Sequence, residues 1–361
     1  MGIPKKPIIV VMVTLMVLVC FTQCEFVPAK VNVDIEAPAF NYLSEYRFFM
    51  GEMKYLQPNA GVIPFEPITP LFSDYASKLR FVWIPKGKSA VYKEDDVFDF
   101  PLGSVLIKNF YYPVDIYDSS KRTQVIETRL LIKKNNGWDA LPYVWNEEQT
   151  DARLEIAGEI KNMTWTKQDG QSTEFNYLVP NKNQCKGCHV DNGTFKPIGP
   201  KARYLNTDYS YSAGVDNQLQ KWTNEGYLAG YDSSAIIETA PNWNDATSGS
   251  LQDRALVYLE VNCGTCHSRT GPANASGLYL TLDEESPAHL GICKSPVAAG
   301  KGTGGFRFDV DPGNPDQSIL VFRMKSTDPS IMMPELGRAL VHEEGVALIR
   351  QWIRSMEGSC N

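Results

Sequence analysis

Two short clusters of one pattern constrain this chain more than anything else in it. "NQCKGCH" runs from Asn183 to His189 and "VNCGTCH" from Val261 to His267. The chain has eight cysteines and four histidines, so these clusters use half of each scarce type. In both, cysteines at i and i+3 share one side of a helical turn, and a histidine follows directly. A segment folded around such a cluster must leave two thiols and an imidazole facing the same space.

That spacing, C-x-x-C-H, is the attachment pattern of c-type haem. The paired sulfurs reach the two vinyl groups on one porphyrin edge, and the following imidazole is the proximal iron ligand. The reading assigns Cys185, Cys188, Cys263 and Cys266 as attachment residues and His189 and His267 as ligands, with two haem c groups per chain. A zinc site shared by both pairs needs about 15–20 residues between them, and the interval here is far longer. Separate zinc sites, a redox C-x-x-C or structural disulfides leave the histidine after each pair unexplained.

The second cluster carries a further candidate. In "IMMPELG", Met333 directly precedes Pro334 and is the expected sixth ligand of its haem, in preference to Met332; proline fixes the local backbone. Packing of both methionines in the core is the alternative. No such loop follows the first cluster. Met163, His289, His342 and Tyr204 are its candidate sixth ligands, and an open position is the alternative.

The N-terminus reads as an export signal: Lys5 and Lys6 precede the apolar run Ile8 to Phe21. This run is shorter than the roughly 20 residues of a membrane span, although a retained anchor is the rival reading. Cys20 or Cys24 as a lipidated first residue, and cleavage near Val27-Pro28-Ala29, both stand as processing modes. The lipid anchor would attach the chain to a membrane from the periplasmic side. Export to an oxidising compartment makes a Cys293–Cys360 disulfide the expected state of the remaining pair. A balance of 35 Lys and Arg against 42 Asp and Glu gives a net charge of −7, and no basic patch suggests a nucleic-acid partner.

Periodicity changes near residue 180. "RFVWIP" (80–85), "SVLIKNFYY" (104–112), "VIETRLLIK" (125–133) and "YVWN" (143–146) read as strands. Turn signals separate them at 86–88, 118–120 and 135–137, the last a hairpin. Tyr42 to Tyr55 reads as a short helix, and 58–70 as irregular. Beyond 180, "SLQDRALVYLEVN" opens on an N-cap Ser250, and "HEEGVALIRQWIRSM" is amphipathic. The expected fold is a multidomain α+β chain, with an antiparallel β-sandwich or jelly roll followed by an all-α cytochrome c region. Its segments are a signal at 1–24, an irregular stretch at 25–79, a β-rich domain at 80–180, a first haem segment at 181–249 and a second haem domain at 250–361.

The chain resembles an exported bacterial diheme c-type cytochrome family. The likeness lies in "YLVPNKNQCKGCH" (177–189), "NQLQKW" (217–222), "RALVYLEVNCGTCH" (254–267), "VDPGNPDQSILVFRM" (310–324), "MPELG" (333–337) and "LIRQWI" (348–353). The C-terminal half is also similar to the cytochrome regions that accompany PQQ-type glucose/sorbosone dehydrogenases. "LGICKSPVAAGKGTGG" (290–305) is an insertion beyond a minimal domain of this kind. The resemblance implies electron transfer with redox protein partners, a periplasmic dehydrogenase or another cytochrome, and it names no donor. Two other readings stay open. One is a diheme peroxidase-like enzyme with an open His189 site. The other is a carbohydrate- or partner-binding β domain, with Trp83, Trp138, Trp145 and Trp165 as a stacking surface.

Overall fold

The computed structural model describes residues 2, 29–113, 123–167 and 170–360. The expected export signal, both N-terminal cysteines and the turn at 118–120 lie outside the described residues. Among those described, no helix is long and apolar enough to cross a membrane.

One antiparallel meander organises the molecule. Its strands in spatial order are β1 (Val62–Phe65), β2 (Ser77–Trp83), β3 (Val105–Pro113), β4 (Thr123–Lys134), β5 (Gly137–Trp145) and β6 (Ala152–Leu154). Consecutive strands pair throughout, and the tightest connection is between β4 and β5. Asn135 and Asn136 form a two-residue connection between Lys134 and Gly137, and Gly137 takes a positive φ of 113°. A separate hairpin follows, β7 (Glu159–Thr166) with β8 (Ser172–Val179).

The two-residue alternation of the strands gives the sheet two different faces. On one, Phe81, Ile107, Leu130, Leu141, Tyr143 and Trp145 form a core with Leu43, Tyr46 and Phe48 from the N-terminal segment. On the other, Val82 and Leu106 pack on Leu205, Leu219 and Trp222 from later helices. Further along that second face the residues become polar and line a cavity.

Two expectations are corrected here. The N-terminal part is not a sandwich or jelly roll: among the described residues there is one six-stranded sheet, and every other sheet has two strands. Nor is there an all-α region after residue 180. The chain is mostly β, with 27% strand against 21% helix. The helices are α1 (Lys182–His189), α2 (Ala202–Leu205), α3 (Gln218–Asn224), α4 (Leu251–Leu259), α5 (Ile319–Lys325) and α6 (Glu343–Arg354). They are short because turns interrupt them: Gly193 and Gly214 adopt positive φ inside two small hairpins at 190–195 and 208–217. Tyr42–Tyr55 is likewise not a helix. It is two 3-10 turns ended by left-handed Arg47 and Leu56.

The two parts of the chain are joined by hydrogen bonds from the β1–β2 connection. The Asp74 carboxylate accepts from Ala339 N and Leu340 N at 2.7 Å each. Phe72 N donates to Asn262 Oδ1 at 3.0 Å, and Thr69 Oγ1 to Pro241 O at 2.8 Å. Asp74 is only 3% exposed, so these bonds are shielded from competing water.

Inside the first core a polar chain links four strands. Trp145 Nε1 donates to Thr128 Oγ1 (2.9 Å), which donates to Asn109 Oδ1 (2.6 Å), while Asn109 Nδ2 donates to Leu79 O (3.1 Å). All three side chains are buried. Thr128→Val keeps the shape but strands the indole N–H and the amide oxygen, each costing about 1–3 kcal/mol. Urea unfolding should show a loss of roughly 2–4 kcal/mol with an unchanged slope; a loss below ~0.5 kcal/mol would show that the chain adds nothing.

Candidate cofactor site

Helix α1 starts with a reciprocal cap. Gln184 N donates to Asn181 Oδ1 at 2.8 Å, and Asn181 N to Gln184 Oε1 at 2.9 Å. The helix ends at His189, where the chain turns extended and returns in a small hairpin. His189 Nδ1 lies 3.0 Å from Lys196 O. A carbonyl has no proton to give, so Nδ1 carries the hydrogen and Nε2 keeps its lone pair. Burial, first of all, pushes the His189 pKa down to about 4, and the Lys108 and Arg129 charges push the same way. The ring is therefore neutral at ordinary pH.

The second motif follows α4, which is capped by Ser250 and Asp253 in the same reciprocal way. A π-helical turn at Glu260–Gly264 carries Cys263 into the site. Gly264 is required there, since a Cβ would sit 2.7 Å from Leu280 O. His267 Nδ1 lies 3.4 Å from Ser276 Oγ, and burial lowers its pKa. The two motifs adjoin. Cys266 Sγ donates to Gly187 O at 3.8 Å, and the neighbouring thiols lower the pKa of Cys188 and raise that of Cys266. Asn192 N donates to Thr270 O at 3.0 Å just beyond both motifs.

A single cavity of about 1140 Å³ receives all of these residues. Cys185, Cys188, His189, Cys263, Cys266, His267 and Met333 all line it. Its volume exceeds the roughly 300–1,000 Å³ usual for one small ligand. Met333 sits on a loop whose carbonyl accepts from Arg338 Nε (3.2 Å) and Nη2 (2.8 Å). Arg338 also donates to Ser326 O and Leu340 O, which holds the loop shut on itself. Met332, by contrast, is buried away from the cavity lining.

The remaining candidates separate clearly. His342 and Tyr204 line the cavity, whereas Met163 and His289 do not. Tyr204 OH already donates to Glu260 Oε1 at 2.7 Å, and Glu260 also receives Arg203 Nη2 at 3.0 Å. His289 Nδ1 lies 3.1 Å from Glu284. Cys293 and Cys360 form a disulfide with S–S 2.02 Å. Of the tryptophans, Trp145 and Trp83 belong to the first core, Trp138 to the second face, and Trp165 to a third cluster. They form no common stacking surface.

The expectation of a metal-binding, cytochrome-type centre needs correcting. Among the described residues no group of three or more His, Cys, Asp and Glu side chains could hold a metal ion. Helical content is low and one disulfide is seen. The two motifs share one cavity lining, and no three of their side chains come together there as a metal-holding group. Sequence reasoning missed Arg338 and the charged residues of the sheet wall; Arg338 stands at the end of "MPELGR" with nothing to flag its five-residue reach back to Met333.

His342 gives the site a pH signature. It stacks on Phe72 (4.2 Å), meets Trp243 edge-on (5.0 Å) and hydrogen-bonds Tyr258 OH through Nδ1 (3.0 Å). Burial lowers its pKa from 6.5 to about 4, against the opposing pull of Glu344. Since the unfolded chain binds this proton first, stability is full above pH 6.5 and falls between 6.5 and 4. The contribution is on the order of 3 kcal/mol. His342→Phe should flatten that part of the wild-type profile in urea titrations at pH 7 and pH 4.5; an identical slope in both proteins refutes the assignment.

Comparison with family models, curated proteins and solved structures finds no match to this chain.

Proposed function

We propose that this chain is an exported electron-transfer protein that carries two covalently attached haem groups and exchanges electrons with redox protein partners. The single observation supporting it most is that both C-x-x-C-H motifs and Met333 line one cavity. Two cysteines in each motif offer a pair of thioether anchors, and each histidine is partly buried, which lowers its basicity. In His189 the ring proton is engaged by a carbonyl, leaving the other nitrogen able to donate to iron.

When bound, haem iron supplies one-electron exchange, and its potential follows axial ligand, burial and nearby charge. The chain's own contribution is to hold, orient and enclose. Arg338 positions the Met333 loop, the sheet forms one wall, and the contact of Cys188 with Cys266 brings the two attachment points together. The apolar signal run and the resemblance carried by the motifs support export and a periplasmic setting. A carbohydrate-binding role for the sheet has no support in the scattered tryptophans.

The test is the mass of the mature protein expressed with export and haem-attachment machinery. It should exceed the bare polypeptide by two haems. Cys185→Ala with Cys188→Ala, or Cys263→Ala with Cys266→Ala, should each remove one. Met333→Ala should abolish the weak near-infrared sulfur-to-iron band. A mass equal to the bare polypeptide overturns the reading, and a high-spin signal altered by peroxide would favour the open-site enzyme.

A further inference from the structure

Three strands present one unusual row. In the sheet register Arg80 (β2) lies directly opposite Lys108 (β3), and Lys108 directly opposite Arg129 (β4). Directly opposed like charges destabilise a sheet, yet here three cations stand side by side, with Lys78 two positions from Arg80 on the same face. All three members of the row line the cavity. Arg80 is only 8% exposed, so it is not part of a solvated surface.

Counterions do not balance this group. Arg129 forms a bidentate pair with Glu127, at 2.8 Å from Nε and 2.5 Å from Nη2. Glu127 also receives Tyr177 OH at 2.6 Å and makes no ion pair with Arg80 or Lys108. Lys108 and Arg129 both lie over the Phe110 ring, at 4.8 and 4.4 Å. Among the described residues Arg80 and Lys108 make no ion pair and no hydrogen bond; Glu66 acts on Arg80 only at long range. Burial and mutual repulsion also lower the basicity of Lys78 and Lys108. Arg80 is buried and Lys108 partly so, and like charges directly opposed across strands are unfavourable unless an anion joins them.

We infer that Arg80 and Lys108, with Arg129 beside them, form an anion-binding floor of the cavity that receives the carboxylates of its occupant. The inference rests on the proposed function for one source of those carboxylates, the propionates of a haem fastened at Cys185 and Cys188. The other source is a diffusible dicarboxylate. Both present paired planar oxygens, which suit a guanidinium beside an ammonium. The row is thereby a binding feature of the β half of the chain, joining it to the site built by the C-terminal half.

The experiment compares Arg80→Gln, Lys108→Gln and Arg80→Lys in two backgrounds, the haem-loaded full chain and the full chain lacking Cys185 and Cys188 (both to Ala). With propionates on the floor, Arg80→Gln should lower the urea midpoint of the loaded chain and raise that of the unloaded chain, where it removes an uncompensated charge. It should also lower one of the two haem potentials and leave the other in place, and Arg80→Lys should restore most of both effects. Succinate should then stabilise only the unloaded chain, and Arg80→Gln should weaken its binding by about tenfold or more. If a free dicarboxylate is the natural occupant, succinate stabilises both backgrounds in an Arg80-dependent way. The inference is overturned if succinate has no effect on either background, or if its effect survives both Arg80→Gln and Lys108→Gln unchanged. Should the mass measurement find no haem, the succinate arm still decides whether the floor binds carboxylates, so the two failures are distinguishable. If the glutamine variants fail to fold, the succinate titration of the unloaded chain with its native Arg80 and Lys108 still decides whether the floor binds carboxylates.

Discussion

The buried carboxylate of Asp74 holds this molecule together as one object. It leaves the β1–β2 connection and accepts two backbone N–H groups from the loop that follows Met333. Burial raises its pKa, while those two amide donors oppose the rise. Its backbone carbonyl is used as well, accepting from Tyr112 OH at 2.6 Å. Around it, Phe72 reaches Asn262 and Tyr75 reaches Glu344. Without this seam, the sheet and the two motifs would have no common wall, and the cavity between them would be open to water.

The cavity is consequently a composite. Its thiols, imidazoles and methionine come from segments after residue 180, and its floor comes from strands before residue 135. The small parallel pairing of Leu228–Ala229 with Ala90–Val91 repeats the point on the far side. So does the reciprocal bonding of Gln218 with the backbone of Glu66 at 2.8 Å in both directions. Burial of apolar surface between Val82, Leu106, Leu219 and Trp222 supplies the non-directional part of that association.

Much of the site was legible because its information is local. The motifs, the reciprocal cap at Ser250 and the hairpin at Asn135-Asn136-Gly137 are each decided within a few residues. The setting was less legible. Helical runs such as 202–205 and 218–224 are too short for periodicity to separate them from turns, so an all-α region was expected where hairpins intervene. The cationic row is invisible in one dimension. Arg80, Lys108 and Arg129 become neighbours only through cross-strand register, and each looks like an ordinary outward residue of an alternating strand. Arg338 escaped for a related reason: its role lies in carbonyls of a loop whose shape the sequence does not specify.

The Cys293–Cys360 bond closes a ring of the chain that contains α5, the Met333 loop and α6. By the chain-entropy account, a closure over 67 residues removes roughly 4 kcal/mol of freedom from the unfolded chain. It also changes what damage means for this protein. The glycine-rich stretch at 300–305, exposed at 300–301 and 304–305, lies inside the ring, so a protease that nicks it there releases nothing. Both pieces stay covalently joined, and the methionine loop keeps its tether to the rest of the molecule. Only a reductant can complete the cut.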